Sequence, residues 1–124
     1  MENKITPIVR NEVETGITFK HETACTRLYI TMNHNGERLI ETFIQPPSRQ
    51  GGCAANLAAV GRLVSLAMRY RIPLLEIIEQ LRGIRCKACT NKLIDDNTSQ
   101  IHYSCPDSIA RALGKADKYF KNEK

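Results

Sequence analysis

The sequence predicts an α+β domain, a small antiparallel β-sheet with two to three helices packed on one face. Three observations lead there. Between Arg27 and Met32, the apolar Leu28, Ile30 and Met32 alternate with Arg27, Tyr29 and Thr31, the period of a half-buried strand. Asn33-His34-Asn35-Gly36 follows, and its Asn-Gly pair tolerates the positive φ angles of a tight turn. Glu37 to Gln45 is therefore expected to return antiparallel, with Ile40, Thr42 and Ile44 on one face. Past Pro46-Pro47 the period changes: a helix opening at Cys53 carries Leu57, Val60, Val64, Ala67 and Met68 at spacings of three and four, with Leu63 and Leu66 widening the apolar surface.

The remaining elements attach to this frame. Residues 1–22 show no clean period and are read as an N-terminal extension, with an added edge strand through Gly16 to Lys20 as its one ordered option. The core helix ends near Arg69-Tyr70-Arg71, whose charges suit a helix C-terminus, and Pro73 starts a second helix where its missing N–H costs nothing. Leu74, Ile77, Ile78 and Leu81 form that helix's stripe and Gly83 its cap. Ile84 to Cys89 reads as extended, Thr90 to Gln100 as a polar loop and Ile101 to Tyr103 as a short strand. A third helix begins at Ser104-Cys105-Pro106-Asp107, with Ser104 or Cys105 capping, Asp107 complementing the dipole, and Ile109, Ala110 and Leu113 facing inward. Residues 115–124, with Lys115, Lys118, Lys121 and Lys124, read as a solvated, basic helix end rather than a nucleic-acid arm.

At 124 residues the chain suits one domain, and 42% hydrophobic with 25% charged residues is a globular composition. The net charge of +5 favours an anionic partner such as a nucleotide, although its thin spread makes nucleic acid a poor fit. No stretch has the length of a membrane span or a signal peptide, so a cytoplasmic location is expected. In that compartment, five cysteines are more naturally thiols, metal ligands or redox groups than a disulfide framework.

Cys25, Cys53, Cys86 and Cys105 all lie at predicted element ends, which can converge on one edge of a small domain and close a tetrahedral Zn2+ site. A local pattern competes: Cys86-x-x-Cys89, twelve residues, then His102-x-x-Cys105, which on spacing alone is the more specific zinc signature. Cysteines packing as small hydrophobes and a redox pair of Cys86 and Cys89 are two further readings. Gly51, Gly52 and Asn56 stand at a helix start, where free N–H groups can hold a phosphate, with Arg49, Arg62 or Arg85 assisting. A tight loop entering a packed helix explains the same glycines, and no P-loop lysine follows. His21 and His34 read as surface residues, and Glu76 and Glu79 as solvent-facing carboxylates rather than an acid/base pair.

Four segments taken together resemble a known family. Thr23-Ala24-Cys25-Thr26, Gly51-Gly52-Cys53-Ala54-Ala55-Asn56-Leu57, Leu81-Arg82-Gly83-Ile84-Arg85-Cys86 and Ser104-Cys105-Pro106-Asp107-Ser108-Ile109-Ala110 are similar, in order and spacing, to the TSCPD domain. The resemblance covers about residues 23–114, and Tyr103 stands where the namesake motif has Thr. The family occurs as the C-terminal part of adenosylcobalamin-dependent ribonucleotide reductases and as free-standing small proteins. Each of its four segments carries a cysteine, which implies Cys25, Cys53, Cys86 and Cys105 as the ligand set, with Cys89 an extra thiol. The implied function is a non-catalytic metal-binding accessory or ligand-binding module of nucleotide metabolism, partnered with a reductase, acting alone, or forming a homo-oligomer. The alternatives are a nucleotide sensor or sequestering protein and a thiol redox partner. Reductase activity is not expected of this chain alone, because 124 residues cannot hold the catalytic barrel.

Overall fold

The alternation between Arg27 and Met32 produces the central strand of the molecule. The structure, a computed structural model, describes residues 6–22, 27–45, 52–86 and 104–122. β1 (Thr15–Glu22), β2 (Arg27–His34) and β3 (Leu39–Gln45) form an antiparallel sheet in the order β1-β2-β3. α1 (Gly52–Arg69), α2 (Leu74–Leu81) and α3 (Cys105–Asn122) complete the described elements.

Register decides the faces. Leu28 lies opposite His21, Ile30 opposite Phe19 and Ile44, and Met32 opposite Ile17 and Thr42. Directly opposed residues share a face, so this set forms the core side, where Leu28, Ile30 and Met32 are fully buried against the helices. Tyr29 and Phe43 stand exposed on the other side. There the Thr18 and Thr31 hydroxyls also bond across the strands at 2.8 Å.

The β2–β3 turn is set by Asn35. Its N–H donates to the Arg38 carbonyl at 3.1 Å, its Oδ1 accepts from the Glu37 and Arg38 amides at 3.0 Å, and Gly36 takes a φ of 94°. Glu37 and Arg38 are thereby consumed by the turn, and β3 starts at Leu39 rather than at the expected Glu37. A register shift between Asn33 and His34 leaves Ile40 as an extra residue; Leu39 and Ile40 are both buried, and Leu39 joins the core cluster.

α1 runs antiparallel to β3 and closes its free edge. The Thr42 amide donates to Ser65 Oγ at 2.9 Å, and the same hydroxyl donates to the Thr42 carbonyl at 3.1 Å. One side chain thus satisfies both backbone groups that a sheet edge leaves open. Gly61 permits this approach: a Cβ there would lie 3.3 Å from Ile44 Cδ1. Leu57, Val64 and Met68 enter the core with Val60 and Ala67 beside them, whereas Leu63 and Leu66 remain 65% and 47% exposed and do not widen the core face as expected. The helix ends with Arg71 at a φ of 65°, its amide bonded to the Met68 carbonyl and that of Ile72 to the Ala67 carbonyl. The Pro73 carbonyl accepts from the Glu76 and Ile77 amides to open α2, and Gly83 leaves it at a φ of 81°.

α3 begins where Ser104 Oγ accepts the Asp107 amide at 3.1 Å, so Ser104 and not Cys105 is the cap. Ile109, Ala112, Leu113 and Ala116 are fully buried on its inner face. The helix does not dissolve into a solvated end after Gly114. Ala116 and Phe120 are buried, and His34, expected at the surface, stacks on Phe120 with ring centroids 4.4 Å apart. Lys115, Lys118 and Lys121 occupy the outer side.

The segment before β1 straps the sheet from behind. The Ile8 amide donates to the Arg69 carbonyl, Arg71 donates to the Thr6 carbonyl, and Arg10 Nε meets Glu41 at 2.9 Å, a carboxylate that also accepts from Asn33 at 2.6 Å. These contacts bury Glu41 on the side otherwise open to solvent. Gly16 is required here, since a Cβ would collide with the Asn33 side chain and the Met32 carbonyl.

The edge contact predicts opposite behaviour for two neighbours. Ser65→Ala strands the Thr42 amide and carbonyl and is expected to cost about 1–3 kcal/mol. Thr42→Val should be neutral or stabilising, because Thr42 Oγ1 is buried and has no hydrogen-bond partner among the described residues. Urea midpoints check both, and an unchanged midpoint for Ser65→Ala would remove the edge closure as a stabilising contact.

Candidate metal centre

Two polar contacts tie the segments that lead to Cys86 and Cys25 to the start of α3, beside Cys105. Asp107, 1% exposed in the first turn of α3, accepts the Gly83 amide at 2.9 Å through one carboxylate oxygen and Arg111 Nε at 3.0 Å through the other. Gly83 lies three residues before Cys86, and Asp107 two residues after Cys105. The carboxylate thereby ties those two cysteine segments together. One residue further on, Ser108 shares a 2.9 Å hydrogen bond with His21 Nδ1, fastening the end of β1, four residues before Cys25, to the same turn. His21 is accordingly buried, against the expectation of a surface residue.

α1 arrives at the β3 edge of the sheet. Gly61 and Ser65 lie beside Ile44 and Thr42 with the helix antiparallel to β3, so its N-terminal turn extends past Gln45. That is the end at which β1 finishes and β2 begins. Cys53 is exposed there, Cys86 and Cys105 are half-buried, and none of the three is in a disulfide. Among the described residues, no three His, Cys, Asp or Glu side chains converge closely enough to hold a metal ion. Cys25, Cys89 and His102 lie outside the described residues, so neither the four-cysteine set nor the local set is present in full.

The phosphate-site candidates at the start of α1 fall only partly within the described residues. Gly52 opens α1 and Asn56 is exposed on it, while Gly51 and Arg49 lie outside the described residues. Arg62, also exposed, stands ten residues from Gly52, roughly 15 Å along the axis. Arg85 is exposed in the segment leading to Cys86. Glu76 and Glu79 face solvent, Glu79 in an exposed ion pair with Arg82 at 2.8 Å. No described helix is long and apolar enough to cross a membrane.

Asp107, His21 and Ser108 are the positioning residues that sequence spacing did not expose. Asp107→Ala is expected to lower stability by about 1–3 kcal/mol by leaving the Gly83 amide without its acceptor. Asp107→Asn, which keeps a carbonyl oxygen for Gly83, should retain most of it. Denaturant midpoints distinguish them, and equal losses would show that charge rather than the Gly83 contact fastens the two segments.

Comparison with known proteins agrees with the four-segment pattern. No curated protein and no solved structure matches the chain. The family model described as TSCPD domain matches residues 3–117 and so takes in β1 as well as most of α3. The TSCPD domain is associated with ribonucleotide reductases. Because the match covers nearly the whole chain, whose described elements form an α+β arrangement, the chain belongs to the TSCPD domain family.

Proposed function

We propose that this chain is a non-catalytic metal-binding accessory module that works with a ribonucleotide reductase, and that Cys25, Cys53, Cys86 and Cys105 hold one structural Zn2+. The observation that carries this reading is the double fastening at the start of α3. Asp107 holds the segment leading to Cys86, and Ser108 holds the strand leading to Cys25, each within three residues of Cys105. Thiolate donors from four distant segments suit a closed tetrahedral zinc site, which keeps no coordination position for substrate. Such a site contributes folding free energy directly, because its ligands are far apart in the unfolded chain. The reductase partnership rests on family membership.

Zinc stoichiometry and melting temperature for the five single Cys→Ser variants test the ligand set. Loss of zinc and a lowered melting temperature are expected for Cys25, Cys53, Cys86 and Cys105, with Cys89→Ser close to wild type. Dependence on Cys89, and on His102 in an added His102→Ala variant, with Cys25 and Cys53 dispensable, would replace the set with the local one. Metal-free wild type with all thiols reduced and a full cooperative transition would end the metal reading.

A further inference from the structure

Residues 6–14, the segment ahead of β1, lie behind the sheet without contributing to the core. None of their side chains is buried, Val9 and Val13 are 80% and 82% exposed, and no residue among them packs against the core cluster. Polar contacts hold the segment down. The Ile8 amide donates to the Arg69 carbonyl at 2.8 Å, Arg71 Nη1 donates to the Thr6 carbonyl at 2.9 Å, and Arg10 Nε donates to the two oxygens of Glu41 at 2.9 and 3.1 Å. The segment's other hydrogen bonds among the described residues are internal, from Arg10 Nη1 to the Asn11 carbonyl and from the Asn11 amide to the Glu14 side chain. Its ties to the rest of the chain are therefore the end of α1 at one point and β3 at the other.

The two parties to this contact are fixed very differently. Leu28, Ile30 and Met32 anchor the sheet, each fully buried, whereas the segment buries no side chain of its own. Few buried contacts and many exposed residues are the marks of a unit that opens below the cost of global unfolding. The charge-assisted bond from Arg10 is the strongest of its ties.

Glu41 shows what the segment covers. It lies opposite Asn33 in the β2–β3 ladder, on the same side of the sheet as Phe43, yet it is buried where Phe43 is exposed. Asn33 Nδ2 donates to its carboxylate at 2.6 Å, and Arg10 supplies the positive charge. Withdrawal of Arg10 leaves the carboxylate with Asn33 and water, and extends the outer face that Phe43 and Tyr29 already expose.

We infer that residues 6–14 are a releasable strap, latched by Arg10 on Glu41, which lifts while the sheet and helices stay folded and so controls access to the outer face of the sheet around Glu41. None of the strap's contacts involves a cysteine-bearing segment, so the inference stands independently of zinc.

Limited trypsin digestion of the full chain and carboxylate labelling, both read by mass spectrometry, test it. Trypsin cuts after Arg10 only when that side chain leaves Glu41 and enters the protease, so the cut reports the open population. It is expected to precede the cut after Lys20, inside β1, and to leave residues 11–124 with a cooperative thermal transition. Glu41→Gln, which removes the charge of the latch, should speed the Arg10 cut by about tenfold or more and leave the Lys20 cut unchanged. Carbodiimide coupling of glycine ethyl ester to Glu41 should rise by a similar factor in Arg10→Ala, while Asp107, buried in α3, stays unlabelled in both proteins. Cuts after Arg10 and Lys20 at one rate would show that the strap opens only with the sheet and would overturn the inference. So would an Arg10 cut indifferent to Glu41→Gln, or a Glu41 carboxylate no more reactive in Arg10→Ala than in the wild type.

Discussion

The carboxylate of Asp107 accepts hydrogen bonds from two directions, the backbone of the segment leaving α2 and the side chain of Arg111 one turn along α3. Its own amide is bonded to the capping Ser104, and its neighbour Ser108 reaches the end of β1 through His21. A helix start normally leaves amide groups to be satisfied by water or by one capping side chain. Here the first turn of α3 is a junction. Its capping residue orders the helix, and its next polar residues draw in two segments that have no regular pairing with each other. Burial makes the junction demanding, because Ser104, Asp107 and Ser108 are almost wholly excluded from solvent and each requires its partners.

The sheet is closed by comparable means. A three-stranded sheet has two edges and two faces, and apolar packing accounts for only one face. Ser65 supplies the missing partners at the β3 edge, while the strap before β1 brings Arg10 onto Glu41 behind the sheet. Hydrophobic burial thus selects the side on which α2 and α3 lie, and a few polar contacts fix how α1 and the N-terminal strap are placed. The apolar surplus of α1, left outside by Leu63 and Leu66, follows from this placement: the helix faces the sheet edge with one side, and among the described residues nothing covers the opposite one.

What could be read from the sequence was whatever a local period encodes. Leu28, Ile30 and Met32 alternate because one side of β2 meets the core, and Asn35-Gly36 marks the turn because that backbone needs a positive φ. Cys53 and Cys105 do stand at helix starts, as their local capping and turn residues indicate. Long-range polar pairing was not. His21 finds its partner 87 residues away, and Glu41 finds its cation 31 residues away, separations for which composition and spacing hold no signal. Other misreadings had a local remedy: Ile109, Leu113, Ala116 and Phe120 continue at helical spacing through the lysine-rich stretch, and the charges around them disguised it. Leu63 and Leu66 misled in the reverse sense, since periodicity reports apolar character without saying whether it is buried.

The Gly83 amide lies outside the sheet ladder and past the end of α2, yet it is held by a buried side chain. Exchange of that single proton with solvent can occur only when the contact to Asp107 opens, which separates the loop preceding Cys86 from the first turn of α3. Amides within the strands report instead on disruption of the sheet. The ratio of the two exchange rates therefore measures the free energy by which the cysteine-bearing end opens on its own, ahead of global unfolding.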